Sequence, residues 1–503
     1  MYTRRSFLKT LGALGAAYAL PGFAAHPFSL GVASGYPSPD GVVLWTRLAA
    51  DLDLLAVRVR WEIASDESMR STVLSGETLA EPDWGHSIHV DAKGLAPDRW
   101  YWYRFMAAGA ESPIGRTRTA PAADAANPRL RFAFASCQQY EQGYFSAYRH
   151  IAADAPDLVA FLGDYIYEST WGRDHVRKHG TPEPYTLADY RARYALYHAD
   201  PDLQVAHAAC PWIVTWDDHE VDNDYADDRP EDGMERPAFL ERRAAAYRAY
   251  YENMPLPARM RPKGPDLRLH THLDWGRLAR FHILDTRQYR SWQACPRKGR
   301  TGGSNTLDIE HCKRLPRTGR SMLGRAQERW LEHNLGESRA AWNVLAQTTP
   351  MAQFDTKPGP GRRAWTDGWD GYPAARERLL KTIAEKRVAN PVVLGGDVHS
   401  FNVNQLKLDF DDPDSPVVAS EFVGTSVTSQ AWSQDRLARY LPDNPHMLLA
   451  DSRFRGYVRA EVTPQRMTAD LRAMESVATR DAACTTLGSY VVENGRPGPQ
   501  RAS

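Results

Sequence analysis

The sequence has no charge bias: 62 Lys and Arg stand against 62 Asp and Glu. So balanced a chain presents no overall field to draw nucleic acid or an anionic membrane, and no nucleic-acid-binding module is expected. There is no low-complexity tract and no internal repeat, which excludes fibrous and solenoid architectures. Beyond the first 25 residues no apolar run is long enough to cross a bilayer, so no transmembrane anchor is expected in the mature chain. Cysteine is scarce, five in 503 residues. That is too few for a disulfide-built scaffold, and the odd number leaves at least one thiol unpaired. What remains is an ordinary globular composition, too long for one core, so two domains or one elaborated domain are expected.

The N-terminus carries an address. Thr3-Arg4-Arg5-Ser6-Phe7-Leu8-Lys9 precedes an apolar stretch from Leu11 to Leu20, followed by Pro21, Gly22, Phe23, Ala24 and Ala25. A charged start, a short apolar centre and a small-residue exit make a signal peptide over residues 1–25, against the plainer reading of an amphipathic first helix. The paired arginines resemble a twin-arginine export signal, which implies the twin-arginine translocase as a partner and a periplasmic or extracellular destination. Export permits disulfides. Cys295 and Cys312 lie 17 apart in a loop rich in Pro, Gly and Arg and can pair; for Cys210 and Cys484 the sequence specifies no pairing.

Residues 26–120 read as β. Val57, Val59, Trp61 and Ile63 alternate with Arg58, Arg60 and Glu62, and Tyr101, Tyr103 and Phe105 alternate with Trp102 and Arg104. Such short half-buried strands, with Leu95-Ala96-Pro97 leading to Tyr101 as in a tyrosine corner, predict a small all-β sandwich. Residues 121–128 read as a linker. From 129 to 493 strands alternate with helices, predicting an α/β domain, and 494–503 read as a flexible polar tail.

In that second domain four apolar strands each end in ligand-type residues. Phe132 to Ala135 runs into Cys137; Leu158 to Leu162 into Asp164 and Tyr167; Trp212 to Trp216 into Asp218, His219 and Asn223; Pro391 to Leu394 into Asp397 and His399. In open α/β sheets ligands bind at the carboxyl ends of strands. Each feature has a bland reading: a buried thiol is usually a small core residue, and an acidic run a solvated loop. The run from Asp217 to Asp228 holds seven acids and no Lys or Arg, and carboxylates so close repel unless a cation sits among them. It is not an EF-hand, because the glycine required at the sixth position is absent. Four such exits at corresponding strand ends point to a metal centre. Cys137, Tyr167 and His399 suit a transition metal, Asp218, Asn223 and Asp397 suit Ca²⁺, Mg²⁺ or Mn²⁺, and Asp164 can bridge. Two neighbouring cations clamp the attacking and leaving oxygens of phosphoryl transfer, with His219 left to donate a hydrogen bond to the phosphoryl group or leaving oxygen. Arg287 and Arg290, at the exit of the strand over 278–284, either hold a substrate anion or form a surface ion pair.

Taken together, Val43-Leu44-Trp45-Thr46-Arg47, Ser136-Cys137-Gln138, Gly163-Asp164-Tyr165-Ile166-Tyr167-Glu168, Trp216-Asp217-Asp218-His219-Glu220, Asp285-Thr286-Arg287 and Gly395-Gly396-Asp397-Val398-His399 resemble the PhoD family of alkaline phosphatases and phosphodiesterases. That family is related to the calcineurin-like metallophosphatases. The resemblance implies an α/β fold, a four-layer metallophosphatase-like β-sandwich flanked by helices, preceded by the small all-β domain. It further implies Fe³⁺ held through a cysteine and a tyrosine, Ca²⁺ beside it, and hydrolysis of phosphate mono- or diesters outside the cytoplasm. Ser-Cys-Gln stands where the wider superfamily has Asp-x-His, which leaves open which ion each of Asp397 and His399 faces. A phospholipase D-like diesterase, a zinc-only hydrolase and a non-catalytic extracytoplasmic binding protein are the competing readings.

Overall fold

The computed structural model describes residues 26–49, 55–231 and 233–502, so the expected signal peptide lies outside the described residues. From Leu130 the chain builds two large sheets. In the first, of ten strands, Leu130–Ala135, Leu158–Leu162 and Pro211–Thr215 are parallel neighbours. Leu158–Leu162 and Pro211–Thr215 are buried along their whole length, as parallel strands covered on both faces must be. The second, of seven strands, has Ala279–Ile283, Trp342–Ala346, Pro391–Gly395 and Val417–Val423 running parallel.

The period of two assigns the faces. Val344, Ala346, Val392 and Leu394 belong to a core shared with the first sheet, where Phe132 meets Phe281 edge to face at 5.2 Å. Leu345 and Val393, between them, belong to a second core with Leu331, Leu335, Leu379, Leu380 and Ile383 of helices Gly324–Glu337 and Pro373–Glu385. Helices Leu187–His198, Pro201–Ala209 and Arg236–Asn253 pack on the first sheet through Tyr190, Tyr194, Tyr197, Leu203, Tyr247 and Tyr250. Between Glu168 and Leu187 the chain forms no helix.

The N-terminal region folds as a sandwich. Val42, Leu44, Ile88 and Val90 pack against Val59, Ile63, Tyr103 and Phe105, and the Ala96 N–H donates to the Tyr101 hydroxyl at 3.0 Å. It is not separate, however. Ser34 and Gly35 pair in parallel with Pro211 and Trp212, so Val32–Ser38, Gly41–Arg47 and Ser87–Lys93 continue the ten-stranded sheet. The exposed flank of Pro211–Thr215 would otherwise be an open edge. The tail expected to be flexible is also ordered: Arg496–Arg501 pairs with Cys484–Glu493, Gly498 and Pro499 are buried, and the Gly498 N–H donates to Ser420 Oγ at 3.0 Å. Its polar composition misled because backbone pairing needs no apolar side chain. Cys295 and Cys312 form a disulfide, while Cys137, Cys210 and Cys484 are free thiols.

Candidate metal centre

Parallel strands end on one side, and here their exits converge. Cys137, Asp164, Asp397 and His399 all adopt left-handed backbone, φ 60°, 58°, 67° and 56°. Non-glycine residues rarely do so, and such strain collects at functional sites. Gly163 is needed where it stands: a Cβ would lie 2.7 Å from the Asp217 backbone nitrogen, so only glycine lets these two exits touch. At Gly396 a Cβ would meet Ser136 Oγ at 2.3 Å, where the ends of the two sheets abut. Glu220, fully buried, accepts the N–H groups of Tyr165 at 2.6 Å, Asp217 at 2.8 Å and Asp164 at 3.2 Å. One carboxylate thereby fixes two of the strand exits.

The ligand atoms of Cys137, Asp164 and His399 lie within 4.8 Å of one another. His399 Nδ1 donates to the Gln430 carbonyl at 2.6 Å, which leaves Nε2 with its lone pair, and burial lowers this imidazole to about 3. The Tyr167 hydroxyl lies 3.3 Å from that Nε2, donates to Asp164 Oδ2 at 2.9 Å and accepts from Ser429 Oγ at 2.9 Å. Asp164, Asp218 and His219 form a second trio, and Asp218, Asp224 and Asp367 a third.

These residues fit metal ions on their own electrostatics. Asp164 Oδ1 and Asp397 Oδ2 are buried with no hydrogen-bond partner among the described residues. Burial, then neighbouring carboxylates, pushes the acids of Asp164 and Asp397 well above the usual range, with His219 opposing at Asp164 and Arg287 at Asp397. Burial, then Asp164, does the same to the Cys137 thiol and the Tyr167 phenol. A nearby cation inverts that balance and lets thiolate, phenolate and carboxylates coexist.

Two matches in sequence address the family. Residues 132–471 match the PhoD-like phosphatase family and residues 15–121 match the PhoD-like phosphatase N-terminal domain. The chain belongs to the PhoD-like phosphatases. It is 46% identical over 501 residues to alkaline phosphatase D of Bacillus subtilis (strain 168), covering 96% of this chain and 84% of that one. A solved structure of PhoD superposes with a TM-score of 0.90 at 45% identity, covering 96% of this chain and 94% of that one.

In this PhoD-like chain Cys137, Asp164, Tyr167, Asp218, His219, Asp397 and His399 come together. Asn223 lies on the same pocket, its amide donating to Glu231 at 2.6 Å. His219 presents one edge to that pocket; its Nδ1 meets Glu168 Oε2 at 2.7 Å and its ring lies 4.1 Å from that of Tyr167. Arg287 corrects the expectation. It has no exposed surface and lies on neither the pocket nor the molecular surface. Its Nε donates to Asp217 at 2.6 Å, and its two terminal nitrogens embrace Asp367 at 3.0 and 2.7 Å. Arg290 joins Asp367 at 2.8 Å. Arg287 therefore holds the acidic loop from behind, and no substrate atom can reach it. Asp367 and Glu168 were missed: Asp367 follows a three-residue strand, Arg363–Trp365, with no apolar run to flag it, and Glu168 lay inside the quoted motif without a role.

Proposed function

We propose that this phosphate-ester hydrolase works at a mixed Fe³⁺ and Ca²⁺ centre outside the cytoplasm, on mono- or diesters. The carrying observation is the trio of buried Cys137 and Asp164 with half-buried His399, and Tyr167 against it. Thiolate, phenolate and imidazole suit Fe³⁺; Asp218, Asn223 and Asp397 offer hard oxygens for Ca²⁺, with Asp164 between. The grouping of His399 with Cys137, and the dominance of Asp217 and Asp218 among the charges felt by Asp397, favour His399 for iron and Asp397 for calcium. Two bound cations supply Lewis-acid neutralisation of the phosphoryl oxygens. The layered fold is consistent with the calcineurin-like metallophosphatases, and the paired arginines at the N-terminus support twin-arginine export.

The protein's own part is orientation and proton supply. Glu168 accepts from His219 Nδ1, which orients the ring. Burial lowers this imidazole, but Glu168, Asp218 and Asp164 raise it further, which favours the imidazolium. An imidazolium there donates to the leaving oxygen. Glu220 and Arg287 keep the strand exits and acidic loop in place.

Protein purified without added metal should contain iron and calcium on elemental analysis and hydrolyse nitrophenyl phosphates. Dialysis against EGTA should abolish turnover while iron stays bound, and Ca²⁺ should restore it, since hard oxygen sites exchange more freely than thiolate sites. Full activity with calcium absent, or a protein holding only zinc, would overturn the ion assignment.

A further inference from the structure

The pocket over the centre has a volume of about 1130 Å³. That is slightly above the range for sites engulfing a drug-sized ligand, and far more than a phosphate group needs. Its two flanks differ. The segments that bring Glu168, His219 and Asn223 are mostly charged, with Glu183, Glu231 and Arg300 beside them, although Trp171 and Tyr185 also line that side. The segments following the second sheet bring Phe354, Trp432, Leu437 and Met447 instead. These are not scattered surface residues. Leu437, Met447 and Ala450 form a small buried core of their own, and Phe354 packs on it. Phe354 and Trp432 lie with ring centroids 6.5 Å apart and 33° between their planes. The Arg436 guanidinium stacks on Trp432 at 3.8 Å. Trp432 nevertheless stays 40% exposed and Arg436 stays exposed, so both face incoming material.

We infer that the Phe354–Trp432–Arg436 wall is a subsite for the retained, apolar ester group of a phosphodiester. The inference rests on the phosphoesterase reading above. His219 lies on the charged flank with Glu168, so the leaving oxygen that it would hydrogen-bond, and the departing alcohol, belong there. The group that stays on phosphorus then falls on the other flank, against aromatic rings, with the Arg436 charge beside the anionic phosphoryl. Aromatic walls hold planar and apolar groups, and a guanidinium stacked on indole is pre-organised to face an anion.

The test compares bis(4-nitrophenyl) phosphate with methyl 4-nitrophenyl phosphate. The two share a leaving group and differ only in the retained ester, and comparing the same pair across variants cancels their intrinsic reactivity. The parent enzyme should favour the bis ester in kcat/KM. Trp432→Ala should reduce that preference by roughly tenfold, as expected when one apolar contact is removed. The loss should fall on KM, because contact with a non-reacting group is uniform binding. Trp432→Phe should recover most of it, and a thermal melt should verify the fold of each variant. A ratio unmoved by Trp432→Ala, with the parent active on both esters, overturns the subsite alone. A parent inert on both overturns the phosphoesterase reading and the subsite with it.

Discussion

Cys137 and His219 follow two strands that flank Leu158–Leu162, and single substitutions separate the roles proposed for them. The Cys137 sulfur lies within 4.8 Å of the Asp164 and His399 ligand atoms, so Cys137→Ala should lower iron content and activity together. His219 is anchored through Nδ1 to Glu168, so His219→Ala should keep the iron and lose about a hundred- to ten-thousandfold in rate. The loss should be smallest on nitrophenyl esters, whose leaving group needs little protonation. Metal analysis and rates on two leaving groups decide this; iron lost from His219→Ala would make it a ligand instead. Tyr167 adds a spectroscopic check. Phenolate bound to Fe³⁺ absorbs in the visible and Zn²⁺, with a filled d shell, gives no such band. The protein should be coloured, and Tyr167→Phe should remove the phenolate band and shift the colour with iron still present.

At the scale of elements, the tail strand Arg496–Arg501 can be tested by truncation. Its backbone pairs with Cys484–Glu493, and Gly498 binds Ser420 of the second sheet. Deleting 496–503 should cost about 1–3 kcal/mol, the range for unmaking a few buried main-chain bonds, with kinetics intact. A shift of the urea midpoint at constant KM would bear this out; an unmoved midpoint would return the segment to a loose tail. This strand also marks where sequence reading stops. Leu158–Leu162 and Pro211–Thr215 were legible because burial on both faces writes a continuous apolar run. So were the ligands after them, because an acid or thiol directly behind such a run is conspicuous. The tail strand pairs through backbone and alternates Pro497 and Pro499 with Gly498, a pattern that reads as loop although it suits an edge. The join of Ser34 and Gly35 to Pro211 and Trp212 was invisible for the same reason. Arg287 was misread because its charge gave no sign of burial, and its partner Asp367 came from a remote loop.

Across the whole molecule, the N-terminal sheet and the helical layer share a buried histidine. His198 stacks on Trp45 at 4.9 Å, bonds the Asn253 carbonyl at 3.0 Å through Nε2, and is lowered by burial to about 3. It is therefore neutral in the folded state and charges in the unfolded state near 6.5. Its burial costs nothing above that value, and destabilises progressively as pH falls from there towards 3. Between pH 7 and pH 5 the term amounts to about 2 kcal/mol. His198→Gln should flatten the pH dependence of the urea midpoint over that window by a similar amount, whatever it does to stability at pH 7. An unchanged slope would mean that this imidazole titrates freely. The sheet itself dictates an order of events at the ribosome. The strand that carries Cys137 has Leu158–Leu162 on one side and Arg455–Val462 on the other, with Phe134 registered against Val458. The nascent chain thus emits Cys137 early and must leave that strand half-paired until Arg455–Val462 has emerged. On the proposed ion assignment, capture of the ion follows the completion of that strand. An exporter that threads unfolded chains would deliver the ligands without the cradle, whereas one that admits finished proteins would carry the centre across already assembled.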